Sequence, residues 1–228
     1  MNEVFNPSAS ASALGAARNR VLRNTYALLA LSMIPTVLGA WIGVASGFGA
    51  SFTGGLSLIV FLVGAFAFIW GIERNKNSSL GVLLLLGFTF FMGLMLSRLV
   101  GTILGFKNGA DLVMLAFGGT AVIFGGMATL ATSIKRDLSG LGKFLFVGAL
   151  ITFVGFIAAF FIQVPALTIT LLVMCLGIFS AYLLYDINRV VRGGETNYVS
   201  ATLAIYLDVF NVFQSLLALL GIFGGQND

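Results

Sequence analysis

Seven stretches of this chain are apolar for long enough to cross a lipid bilayer, and the segments between them are brief. They are Tyr26–Ala45, Leu56–Ile72, Leu80–Leu99, Leu112–Thr132, Leu141–Phe161, Leu167–Asn188 and Ala201–Phe223. Each approximates the ~20 residues that a helix rising 1.5 Å per residue needs to span the hydrocarbon core, the second being the shortest. Lipid offers a backbone no hydrogen bonds, so such runs must close their own as helices. Only 9% of the 228 residues are charged, where a soluble domain carries roughly 25%. The pattern predicts an all-α polytopic membrane protein, with one seven-helix domain over residues 25–228 and a polar tail over 1–24.

The tail lacks the charged, apolar, A-x-A order of a cleaved signal peptide, so it is read as part of the mature protein. Its basic end (Arg18, Arg20 and Arg23) suits a juxtamembrane anchor on anionic lipid. Orientation follows from lysine and arginine. With the N-terminus in the cytoplasm, Arg74, Lys76, Lys135, Arg136, Lys143, Arg189 and Arg192 join the three tail arginines inside, leaving only Arg98 and Lys107 of the 12 basic residues outside. That asymmetry predicts a cytoplasmic N-terminus and an outer C-terminus. The net charge of +4 therefore speaks for topology and the bilayer, not for nucleic acid. Trp41 and Trp70 fall near span ends, where aromatic belts form. Glycines seven apart, Gly118 with Gly125 and Gly148 with Gly155, read as close-packing positions between helices.

Two acids stand out against this background. Asp208 lies about eight residues into the last span, ~10–12 Å from its near end, and a charged Asp at a helix centre costs roughly 2.5–3.5 kcal/mol on insertion scales. It must face the bundle interior and find a partner. Asn211 and Ser215 share its face, with Gln214 flanking, so a polar stripe results. Asp186 closes the sixth span just before Arg189 and Arg192. The short connection 189–199 makes the last two helices antiparallel neighbours, which brings Asp186 and Asp208 toward the same membrane face. Two carboxylates in low dielectric cannot both ionise freely, and such a pair can share a proton. The chain has no histidine, so this pair is the candidate pH sensor. Arg74 and Arg189 are the candidate latches, a base whose ion pair with the ionised acids would hold the mouth closed.

Other chemistries fit less well. Cys175 is the one cysteine and reads as a small buried hydrophobe. Paired membrane aspartates occur in intramembrane aspartyl proteases, but those need GxGD around the second acid and Asp208 lies in IYLDVF. A retinal protein needs a lysine in the last span, and none of Lys76, Lys107, Lys135 and Lys143 is there. No catalytic residue, cofactor or resident metal is expected.

Four stretches are similar to one family. GGETNYVSATLAIYLDVFNVFQSLLALLGI (193–222), LLYDINRVVRGG, AFGGTAVIFGGMATLATSIKRDLSGLG and VLRNTYALLALS resemble the Bax-inhibitor-1 family, over nearly the whole chain after about Arg20, and the GGETNY hinge resembles its bacterial branch. The resemblance implies a seven-helix fold with the last helix central and the other six around it. It implies a pH-sensitive calcium leak governed by two aspartates matching Asp186 and Asp208, which would touch calcium transiently. It also implies a bacterial inner-membrane location and an association that slows degradation by a membrane-anchored AAA+ protease, with the N-terminal tail as handle. Some members carry an acid within the second span and a latch arginine near its end. Here no acid lies between Leu56 and Ile72, and Arg74 stands near the latch position.

Overall fold

The computed structural model describes residues 7–48 and 55–225, and these form seven helices. They are α1 (Pro7–Ala45), α2 (Gly55–Asn75), α3 (Ser79–Leu104), α4 (Gly109–Ser133), α5 (Ser139–Ile162), α6 (Pro165–Arg192) and α7 (Tyr198–Gly224). Each is long and apolar enough to cross a membrane, and each contains one of the seven predicted spans. The chain is a polytopic, all-α membrane protein. The expected boundary between tail and first span at residue 24 is no break, because α1 runs unbroken from Pro7 into the first span. Residues 1–6 and 226–228 lie outside the described residues.

The last helix is central, but four helices surround it, not six. α1, α3, α4 and α6 pack on α7 and close a ring around it, each touching the next. α2 packs on the outer side of α3 and only grazes α7, while α5 packs against α6 alone among the described helices. The short turns explain this arrangement. Residues 76–78 join α2 to α3 and residues 163–164 join α5 to α6, so each outer helix is tied to a helix that already occupies a place against α7. Gln163 makes the tighter reversal by adopting a left-handed backbone, φ 55°.

The core is built from Leu85, Phe88 and Met92 of α3, Leu183 and Ile187 of α6, and Ile205, Tyr206 and Val212 of α7, all buried. Phe88 meets the Tyr206 ring edge-on at 6.1 Å between centroids. The Tyr206 hydroxyl shares a 2.9 Å hydrogen bond with Thr36 of α1 and donates to the Thr89 carbonyl of α3 at 3.4 Å. One phenol thus ties three helices at a buried position where an unpaired hydroxyl would be costly.

Glycine sets the closest helix approach, at positions outside the two predicted pairs. α1 and α3 make the most extensive pair in the bundle. A side chain on Gly93 would strike the Thr36 carbonyl, and one on Gly39 would strike the Phe90 carbonyl. Of the predicted pairs, Gly148 and Gly155 do receive a neighbour, Ile178 and Leu171 of α6. Gly118 and Gly125 do not pack: nothing lies within 4 Å of where their side chains would be. They face outward because α4 turns its other side to α6 and α7.

Candidate functional site

The connection between α6 and α7 is assembled from short-range backbone chemistry. Gly193 takes φ 78°, a left-handed cap that ends α6, with its N–H donating to the Val190 carbonyl. Gly194 and Glu195 then donate to the Arg189 carbonyl at 2.9 and 3.3 Å. Glu195 folds its carboxylate back over the turn, where Oε1 accepts from the N–H groups of Thr196 and Asn197 at 3.0 and 2.9 Å. Asn197 caps α7, its Oδ1 accepting from Val199 and Ser200. Its Nδ2 reaches across to the α2–α3 turn, donating to the Lys76 carbonyl at 3.2 Å and to Asn77 Oδ1 at 2.8 Å. A single asparagine therefore starts the central helix and fastens it to an outer hairpin.

A cavity of about 280 Å³ opens beneath this hinge, lined by residues of α2, its turn, α6, the hinge and α7. Glu73 and Lys76 form one ion pair at its rim, 2.9 Å apart. Lys76 lies outside the spans, and the hydrogen bond and charge of Glu73 hold its ammonium above the ordinary lysine range. Arg189 and Glu195 form a second pair at 3.3 Å. Small residues, Ser200, Ala201 and Ala204, line the α7 side and leave room where larger ones would fill it. Ser200 and Ala204 are one turn apart, and Asp208 follows one turn deeper on the same helix face.

Asp186 lines the cavity. Asp208 sits below, 4% exposed and ten residues, about 15 Å, beyond the first residue of α7. The two carboxyl groups are neighbours, close enough for the charge of one to act on the other. Carboxylates only accept, so a bond between two of them requires one to carry a proton. Oδ2 of Asp208 is buried with no donor against it from the described residues, and the Ser200 hydroxyl is likewise buried and unpartnered. Such a cluster can take up and release a proton, and Asp186 and Ser200 open it to the cavity.

The polar stripe divides by partner. Ser215 is buried beside Cys175 of α6. Asn211 donates to the Leu207 carbonyl of its own helix at 2.8 Å. Gln214 is exposed on the outer face, a turn away from the aspartates. Of the two candidate latches, Arg189 stands at the cavity. Arg74 does not line it, and lies over the Trp70 ring, 5.2 Å from the centroid. No group of three or more potential metal ligands converges among the described residues. Sequence reasoning passed over Glu195 and Asn197. The signal for Asn197 was an N-cap residue immediately before an apolar helical run.

A seven-helix membrane bundle whose central helix carries a buried acid, met by a second acid at the floor of a polar cavity, is the class that fold and site define. The chain belongs to the Bax1-I family, described as inhibitor of apoptosis-promoting Bax1, which matches residues 18–225. It is 36% identical to an uncharacterized protein of Neisseria meningitidis serogroup A over 214 residues, covering 92% of this chain and 94% of that one. It is 32% identical to the modulator of FtsH protease YccA of Escherichia coli K12 over 203 residues, covering 89% and 90%. An uncharacterized membrane protein of Vibrio cholerae is 31% identical over 209 residues, 92% of each chain.

Proposed function

We propose that this protein is a proton-responsive cation leak of the bacterial inner membrane, with Asp186 and Asp208 as the titrating pair. The observation that carries the reading is a buried carboxyl, Asp208, whose Oδ2 has no donor among the described residues, beneath a second one, Asp186, that lines a polar cavity. With one shared proton the pair carries a single negative charge. Loss of that proton leaves two charges facing one another, and the structure must then bring a cation to them or separate them. Calcium is the cation that the family resemblance implies. Glu73 and Glu195 are engaged by Lys76 and Arg189, and no group of three potential metal ligands converges among the described residues, so the pair suits brief contact and release more than retention. The inner-membrane location follows the Escherichia coli relative, one of whose sequences is named an inner membrane protein, and the basic face carrying the hinge is assigned to the cytoplasm. Reconstituted in liposomes, the protein is expected to pass calcium with a pH dependence that Asp208→Asn abolishes. Flux no greater than that of empty liposomes at any pH would overturn the reading.

A second reading is favoured by the printed name of the Escherichia coli relative, modulator of FtsH protease. On that reading the chain binds a membrane-anchored AAA+ protease and slows its action without conducting ions. The N-terminal tail is the handle, its first twelve residues preceding the basic run of Arg18, Arg20 and Arg23. Deleting residues 2–12 is then expected to abolish co-purification with the protease and shorten substrate lifetimes. Unchanged association and lifetimes would remove the segment from that role.

A further inference from the structure

Arg189 lies between two carboxylates. Asp186 precedes it by three residues on the same face of α6, near enough for the guanidinium charge to act on it. Glu195 follows in the hinge and holds the guanidinium in the structure, Nη2 to Oε2 at 3.3 Å. The other oxygen of Glu195 accepts the Thr196 and Asn197 amides, and Asn197 is the residue fastened to the α2–α3 turn. The hinge fold and the location of one positive charge are therefore the same event. The charged and titratable groups facing this arginine are Glu73 and Lys76 from α2 and its turn, Asp186 from α6 and Glu195 from the hinge, with Asp208 of α7 and Tyr182 of α6 near the aspartate pair beneath. Lys76 is occupied by Glu73, and no residue of α1, α3, α4 or α5 lines the cavity. Arg189, one turn from Asp186 on the same helix and in the longer of the two ion pairs (3.3 against 2.9 Å), is the cation placed to answer a change of charge on Asp186.

We propose that Glu195 is the positioning residue of this site: it keeps Arg189 off Asp186 while the aspartate pair holds its shared proton, and releases it to Asp186 when that proton leaves. The proton passes to water in the cavity, the guanidinium moves from one carboxylate to the other, and no covalent bond changes. Relieved of its partner, Glu195 loosens its hold on the two amides, and the tie between the central helix and the α2–α3 turn weakens with it. The mouth of the cavity is the part that then yields, the reverse of the latch that the sequence suggests for Arg189. The inference rests on the reading of Asp186 and Asp208 as a titrating pair and deepens it by naming what the pair moves.

The four hinge amides of residues 194–197 report the event directly, since each donates to Arg189 or Glu195. Hydrogen–deuterium exchange of the protein in nanodiscs, corrected for intrinsic rates, is measured between about pH 5 and pH 8. Infrared spectra record the carboxylic acid band of the pair over the same range. In the wild type, hinge protection is expected to fall as pH rises and the acid band disappears. Asp208→Asn is expected to keep the hinge protected throughout. Glu195→Gln is expected to exchange about tenfold faster at low pH and lose the pH response. Glu195→Asp, which keeps the charge on a shorter stem, retains the slope and separates this role from a merely structural one. A wild-type hinge indifferent to pH while the acid band titrates would overturn the inference alone, as would a wild-type slope in Glu195→Gln. An acid band that does not change over this range would overturn the titrating pair and the inference together.

Discussion

The two ends of the bundle are built from different materials. At the basic face, the α2–α3 turn and the α6–α7 hinge interlock through Asn197, and two ion pairs rim a cavity of about 280 Å³ leading to Asp186. At the other end a wider pocket, about 430 Å³, lies between the end of α5, the start of α6 and Ile222, with no charged residue in its lining. Between them α7 presents buried Val212, Ser215 and Leu217, with Cys175 of α6 against Ser215. The difference teaches where exchange with the acids can occur. A charge leaving Asp186 toward the basic face meets polar partners at once. Toward the other end it would cross apolar side chains at the full cost of desolvation.

Cysteine accessibility tests this asymmetry most strongly. In a Cys175→Ser background, Ala204→Cys is expected to react with a small cationic thiol reagent on the order of a hundredfold faster than Val212→Cys, because the latter needs local opening. Equal rates would mean that water runs through the core, and the contrast between the ends would collapse. Asn197→Ala is expected to cost about 2 kcal/mol in reversible unfolding, since it removes a helix cap and two contacts to the α2–α3 turn. A loss within error would show the basic end to be as loosely held as the other. The opposite end should improve on substitution: Gln163→Gly relieves a left-handed backbone and is expected to gain about 1 kcal/mol. The smallest effect concerns Asp137, exposed in the α4–α5 connection, whose carboxylate the N–H and hydroxyl of Ser139 hold below the usual range. A lowered folded pKa contributes stability above the ordinary Asp value of about 3.9, lost as pH falls through the lowered one. Asp137→Asn should therefore narrow the stability gap between neutral and acid solution slightly; an unchanged acid slope would contradict it.

The number and extent of the helices were legible because bilayer thickness fixes how long an apolar run must be. Their arrangement was not. In water, an apolar stripe marks the buried side of a helix, but lipid and protein interior are equally apolar, so nothing in α5 announces that it touches α6 alone. The Gly118–Gly125 spacing misled for this reason, while Gly39-x-x-x-Gly43 on α1 carried the contact with α3. The acids at 186 and 208 were legible because a carboxylate in such surroundings needs a partner. Arg74 lies away from the cavity because proximity in sequence to the basic face says nothing of side-chain direction, and Trp70 one turn earlier receives its guanidinium. Glu195 was overlooked because an acid in a polar turn looks ordinary until the turn is folded.

The outer helices also bear on assembly. α2 finds its neighbour only when α3 exists, and α5 only when α6 exists. At roughly 5–20 residues per second of synthesis, each waits seconds in lipid with no protein against it. The central helix follows all four that will surround it, so those four gather before anything occupies their shared interior. Until α7 arrives, the Thr36 hydroxyl and the Thr89 carbonyl lack the Tyr206 hydroxyl that later joins them, and a half-made bundle is the form of this protein most open to being mistaken for a damaged one.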